Sequence, residues 1–465
     1  TSLKIMKLNK IKNQFIMKKT ISIFVLSLLT GFAFAQAGHI MQGVGSFNMS
    51  MGGAATAQPL DISGALQWNP ASISVFNDKI LSFDLGLFFS SPNLYSSLPA
   101  GMLGVGAPGV SGVTEDARGI SPMPAFAMVW GKEDSKHTYG LSVFGISGFG
   151  VTFPEEANNP FSPTFNPTAN SNPIGYPQQA GGFGHLESNY MLLQVGFTWA
   201  YELSDKFSIG FEPTINYSAL EVDPNPIASP SPTLGYPNSD NATAIGFGGQ
   251  FGVFYNSGSG FKLGMSYKTE QSFSDFDFKG NYLDGSTAPN TKFKMNFPAI
   301  LSVGMGYSTD KYDFALDYRT VNYENTAGFA EKGWTSTASV AGFGWKNMDI
   351  ISVGLQLKMI DKMPLRFGYT YSSNPIQSEL AMYSVEATAI IQNAFQVGFG
   401  YEINDNFTLN GLFHHGASAG KTSGPMLSPL MSSASNPYGA IPGSEVSYDM
   451  KTDLIMFGLS YTFSK

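Results

Sequence analysis

Near the C-terminus the side chains alternate strictly. Ile455, Phe457, Leu459, Tyr461 and Phe463 stand on one side, and Met456, Gly458, Ser460 and Thr462 on the other. Successive residues of a strand point to opposite faces, so this segment has one apolar, aromatic face and one small, mostly polar face. The period recurs in, among others, Leu193/Val195/Phe197/Trp199/Tyr201, Phe261/Leu263/Met265/Tyr267, Ile351/Val353/Leu355/Leu357 and Phe395/Val397/Phe399/Tyr401. With the weaker candidates at 125–131 and 139–153, about fourteen strands are expected, an even number as single-chain bacterial barrels require. After residue 35 no apolar run approaches the roughly 18 residues of a helical span. The fold class is therefore all-β, a transmembrane antiparallel β-barrel whose apolar faces meet lipid, with closure removing exposed edges.

Connections alternate in length. Short turns rich in Ser, Asn, Asp and Gly fall at 204–206, 257–260, 309–311, 361–362 and 404–406 and are expected to be periplasmic. Long segments near 90–123, 154–190, 221–243, 273–291, 324–347, 373–393 and 414–446 are expected to be extracellular loops. Alternation alone also suits a soluble β-sandwich, but the loop asymmetry and the aromatic strand ends speak for the barrel.

Met17-Lys18-Lys19, the apolar run from Ile21 to Leu29 and Ala33-Phe34-Ala35 before Gln36 have the three parts of a secretory signal in order. Residues 1–35 read as an upstream extension plus signal peptide, with Met17 as the expected start and Gln36 as the first mature residue. The chain holds 26 Lys+Arg against 34 Asp+Glu, and six of the lysines precede Gln36. The mature balance of 20 against 34 leaves a net charge of -14, which excludes nucleic acid as a natural partner. Absence of cysteine removes disulfides, thiol chemistry and cysteine-ligated zinc. No P-loop occurs, and none of the five histidines sits in a motif supplying a nucleophile, base and orienting acid, so neither a cofactor nor catalysis is expected.

Between signal and first strand, Gly43 to Ala71 is glycine-rich yet carries Leu60, Ile62, Leu66 and Trp68, too apolar for a solvated tether. This segment, with Phe297-Pro298-Ala299 leading to Leu301-Ser302-Val303-Gly304, Ala315-Leu316-Asp317-Tyr318-Arg319, and Gly344-Trp345-Lys346-Asn347 followed by Leu365-Arg366-Phe367-Gly368-Tyr369, resembles the FadL/TodX family of outer-membrane transporters for long-chain fatty acids and hydrocarbons. The resemblance implies a barrel at 79–465 with residues 36–78 folded inside as a hatch, in the bacterial outer membrane. It also implies an inward kink in the third strand that opens a side exit, with the hatch turn Trp68-Asn69-Pro70-Ala71 near it.

Glycine within a strand often marks a bulge or bend, so Gly145, Gly148 and Gly150 are the expected kink. A fatty-acid carboxylate needs a cation at one end of an apolar groove. Strand parity turns two of the three arginines, Arg319 and Arg366, into the lumen. Arg319 shares its face with Asp317 and suits a structural ion pair. Arg366 is the better carboxylate candidate, with pairing to the hatch acid Asp61 as the alternative, and Lys262, Lys268 and Lys294 are weaker candidates. His39 and Ile40 would lie at the base of the pocket on the family pattern, and the proline-rich loop 154–190 suits a capture groove.

The resulting expectation is a monomer in outer-membrane lipid that passively imports hydrophobic small molecules, long-chain fatty acids in the first reading. Aromatic or alkane hydrocarbon import, a secretion-associated barrel carrier and a general porin are the alternatives.

Overall fold

A computed structural model describes residues 36–463; the signal and upstream extension expected over 1–35 lie outside the described residues. Fourteen strands close into an antiparallel barrel. In chain order they are β1 (Lys79–Leu98), β2 (Ser121–Trp130), β3 (His137–Phe153), β4 (Leu186–Ser204), β5 (Phe207–Asp223), β6 (Ala242–Asn256) and β7 (Phe261–Lys268). There follow β8 (Ile300–Ser308), β9 (Tyr312–Val321), β10 (Met348–Leu357), β11 (Leu365–Ser372), β12 (Asn393–Glu402), β13 (Phe407–Ala417) and β14 (Glu445–Thr462). Each pairs with the next, and β14 returns to β1 from Thr462↔Ile80 to Glu445↔Ser97, so the ladder closes.

The expected faces hold. Phe247, Phe395 and Phe457 are 61%, 60% and 55% exposed on the outer wall, while their sequence neighbours turn inward. Short and long connections alternate around the whole barrel. One expected loop differs, because β1 runs on to Leu98. Its outer half pairs with β14 on one side and with a short strand, Val110–Glu115, on the other, so most of the segment from 90 to 115 is barrel wall raised above its neighbours.

Residues 38–75 fill the lumen. Two short helices, α1 (Gly45–Ser50) and α2 (Ile62–Trp68), lead into a 3-10 turn at Pro70–Val75, and nearly every residue is buried. Asp61 caps α2 by accepting from Ser63 N and Gly64 N at 3.1 and 3.2 Å. Asn69 then ends α2 and caps the 3-10 turn through Ala71 N at 3.1 Å.

The wall admits this hatch because its inward positions are glycine where hatch backbone comes close. A Cβ added at Gly210 would lie 2.3 Å from Ala71 N, at Gly264 2.1 Å from Thr56 O, at Gly354 2.5 Å from Met51 O, and at Gly368 2.2 Å from Gly52 N. The glycine excess is thus a seat rather than flexibility. Within the hatch, Gly53 has φ +73°, and a Cβ there would meet Gln42 O at 1.8 Å, so this turn excludes any side chain.

Candidate functional site

Charged side chains fasten the hatch to the wall. Asp317 Oδ2 accepts from Ala55 N (2.8 Å), Thr56 N (2.9 Å) and Thr56 Oγ1 (2.8 Å), and from Arg319 Nη2 at 2.6 Å. Arg319 also donates to Gly53 O at 2.7 Å, and its guanidinium carbon lies 3.7 Å from the centre of the Trp68 ring. The expected ion pair is present, and it holds the hatch as well as itself. Arg366 donates to Gln356 Oε1 (2.8 Å) and Asn410 Oδ1 (2.9 Å) and stacks 3.4 Å over Phe47 of α1. Asp61 feels its charge, although the hydrogen bonds of Arg366 go to the wall amides. Of the lysines, Lys262 bonds Gln58 and Ser308, and Lys268 bonds Gln194.

The turn at Trp68-Asn69-Pro70-Ala71 packs on β5 to β7. Asn69 Nδ2 donates to Thr56 O at 2.8 Å and Val253 O at 3.0 Å, Ser266 Oγ donates to Trp68 O, and Gly210 lies under Pro70 and Ala71. Its expected position facing the third-strand glycines is not the one observed, since His39 and Ile40 take that place.

β3 is the irregular strand. Its ladder to β2 stops at Ala125↔Phe144; beyond this point β2 carries Pro122 and Pro124, which have no N–H to offer. Its register with β4 shifts between Gly145 and Ser147, leaving Ile146 as an extra residue. One extra residue reverses the inward parity, so Phe149 and Val151 point into the lumen above the bulge. The open edge of β3 is bridged from inside, where Ile40 pairs with Ser147 and His39 O accepts from Gly148 N (3.0 Å) and Ser147 Oγ (2.8 Å). Farther out, Ala117 N donates to Thr152 O at 2.8 Å. Gly148 thus receives hatch backbone, and Gly150 makes room for Arg118.

His39 sits in an aromatic cage. Its ring centre is 4.7 Å from Phe329, 5.3 Å from Tyr323, 5.8 Å from Phe297, 5.9 Å from Trp345 and 6.1 Å from Tyr190. Nδ1 is 2.7 Å from the Tyr323 hydroxyl, and Nε2 has no partner. Burial pushes the imidazole down to about 3, so it is neutral. The cage continues outward through Phe149 and Phe343, whose rings lie 4.9 Å from Tyr190 and 5.4 Å from Phe329.

Above the cage lie two narrow apolar crevices where five long loops converge. One is bounded by Phe183, Leu186, Trp334 and Met382, the other by Phe149, Leu220, Phe293 and Phe343; Pro226, Val340, Tyr383 and Glu386 belong to both. Among the described residues no Lys or Arg lines either one. Aromatic packing is thus continuous from the loop crevices through the His39 cage, which itself abuts the broken edge of β3. Of the sequence candidates, His39 lies in this cage, Ile40 pairs with β3 beside it and loop 154–190 brings Phe183 to one crevice, whereas the other cage and loop residues are missed because loop aromatics carry no periodic signal. Phe297 and Trp345, which stand in the motifs of the family resemblance, are the available hint.

A closed barrel plugged by its own N-terminal segment, with an aromatic cage beside a broken strand edge, is the architecture of an outer-membrane transport barrel. A family model described as outer membrane protein transport protein (OMPP1/FadL/TodX) matches residues 176–464, and the chain belongs to this family. Its members are transport proteins of the outer membrane rather than enzymes. No curated protein sequence matches. Among solved structures the chain is similar to a Pseudomonas aeruginosa FadL homologue (TM-score 0.67, 13% identity, 92% of this chain and 100% of that one). It is also similar to the P. putida toluene transporter TodX (0.64, 14%, 91% and 99%) and to the Ralstonia pickettii toluene transporter TbuX (0.59, 16%, 91% and 99%). At such identities the likeness is one of fold.

Proposed function

We propose that this chain passively imports neutral hydrophobic small molecules across the outer membrane. They are captured in the loop crevices, pass the His39 cage and leave sideways where β3 parts from β2. The observation that carries this reading is the lining of the crevices and the cage, which is aromatic and aliphatic apart from Glu386 and the neutral His39 and has no cation at either crevice. A long-chain fatty acid would bring a carboxylate that needs one. Arg319 and Arg366, the sequence candidates for that role, are engaged with the hatch and the wall. The toluene transporters among the similar structures point the same way. A filled lumen argues against a general porin, and nothing in the site has the makings of catalysis.

Isothermal titration of the purified chain with toluene and with oleate tests this reading. Toluene should bind, and oleate should bind no more weakly after Arg366→Gln than before. Tight oleate binding that Arg366→Gln abolishes would restore the fatty-acid reading.

A further inference from the structure

Two polar atoms in the outer crevices have no partner. Glu386 Oε1 and the Tyr383 hydroxyl are both shielded from solvent, neither has a hydrogen-bond partner, and both residues line both crevices. We propose that they form a polar subsite that takes the hydroxyl group of a neutral hydroxylated hydrophobe, a phenol or an alcohol. The proposal rests on the uptake reading above and narrows its ligand class.

The two groups are held in place. Ser188 Oγ donates to Glu386 O, Ala387 N bonds Ser384 O at 3.0 Å, and the Tyr383 ring stands edge-on to Trp334 at 5.2 Å. A carboxyl among Phe183, Val340, Met382 and Phe343 with no cation beside it is forced toward its uncharged acid form, and the nearby charge of Asp223 acts in the same direction. An uncharged carboxyl offers one donor and an acceptor, and so does a phenol. A single ligand hydroxyl can donate to one and accept from the other. Toluene leaves both unsatisfied, and a carboxylate adds a charge that nothing in the crevice neutralises.

As they stand, the crevices hold about 30 Å³ each. That is room for water but not for a ring. Val340 and Met382, both half-buried loop side chains, are the parts that must yield.

Titration of the full mature chain in detergent with p-cresol, toluene and p-toluate tests the subsite. Binding of p-cresol should be tighter than that of toluene by roughly tenfold or more, since a site built for a hydroxyl rejects the analogue lacking it. p-Toluate should be weakest. Glu386→Leu should bring p-cresol to parity with toluene, and Glu386→Gln should keep part of the preference. Tyr383→Phe is the second variant should Glu386→Leu fail to fold. Equal affinities in the wild-type chain, or a preference untouched by both Glu386→Leu and Tyr383→Phe, would overturn the subsite and leave hydrophobe uptake standing. Binding of p-toluate alone would overturn both.

Discussion

Arg118 occupies the space that a side chain at Gly150 would need, for a Cβ built on Gly150 falls 1.4 Å from Arg118 Nη1. From there Arg118 donates to Ser188 O (3.1 Å) and Asn189 Oδ1 (2.9 Å), spanning β3 to reach β4 above the bulge. Gly150→Ala should therefore expel Arg118 and lower stability by about 1–3 kcal/mol, as overpacking does. Arg118→Ala removes the obstacle, so the double variant should unfold at a higher temperature than Gly150→Ala alone. Thermal midpoints of the four chains check this, and a midpoint for Gly150→Ala equal to wild type would show that the guanidinium does not hold that place.

Asp317 and Arg319 are coupled through the hatch. With Arg319→Met the Asp317 carboxylate keeps its three bonds from Ala55 and Thr56 but loses its only ion-pair partner among the described residues, in a site 1% exposed. Breaking one side of a buried pair typically costs about 3–5 kcal/mol. The expected outcome is a looser hatch, read as higher conductance in planar bilayers together with a lower unfolding midpoint. Combined with Asp317→Asn, the loss should fall short of the sum of the single variants by about 1 kcal/mol or more. Strict additivity would mean that the pair does not act as a unit.

The wall was legible in the sequence because lipid on one side and a packed lumen on the other impose a period of two on every strand. Leu263/Met265/Tyr267 and Phe395/Val397 are half exposed where parity puts them outside, and Arg319 and Arg366 are buried where it puts them inside. Gly145 marked the break in β3. The extra residue itself, Ile146, and the reversal of parity beyond it have no local signature. The aromatic cage and the crevices were less legible still. Tyr323 and Phe343 come from one loop and Tyr383 and Glu386 from another, and Arg118 is carried to β3 only because the chain between the two segments paired with β1 crosses the gap. Their proximity follows from barrel closure, which no single segment encodes.

Asp61 gives the hatch a pH dependence. It lines a cavity of about 130 Å³ at the short-turn end with Phe47, Leu60, Ile62 and Asp84. Burial pushes its carboxyl up to about 7, with Asp84 adding to the rise while the Gly64 and Ser63 amides and Arg366 oppose it. A raised carboxyl binds its proton more tightly folded than unfolded. Its stabilising contribution is therefore complete below about pH 4, the unfolded value, declines as pH rises to about 7, and is absent above that. The hatch should be held more firmly at pH 5 than at pH 8, read as lower conductance and a higher unfolding midpoint. Asp61→Asn keeps an N-cap for α2 and should flatten this difference; an identical pH response in that variant would exclude Asp61 as its source.

Gly264 tests the seat most directly. A Cβ there would come 2.1 Å from Thr56 O and 2.9 Å from Asn69 Nδ2, the two atoms that share a 2.8 Å hydrogen bond. Thr56 cannot retreat without also stretching its 2.9 and 2.8 Å bonds to Asp317. Gly264→Ala should thus act on Asn69, Thr56 and Asp317 together and lower stability by about 1–3 kcal/mol, with the hatch rather than the barrel giving way. Conductance should rise while the strand signal in far-ultraviolet circular dichroism is unchanged. As a control, alanine at Gly258, in a short turn where an added Cβ meets nothing within 4 Å, should leave conductance unaltered. Equal conductance for Gly264→Ala and wild type would mean that the hatch does not bear on this wall.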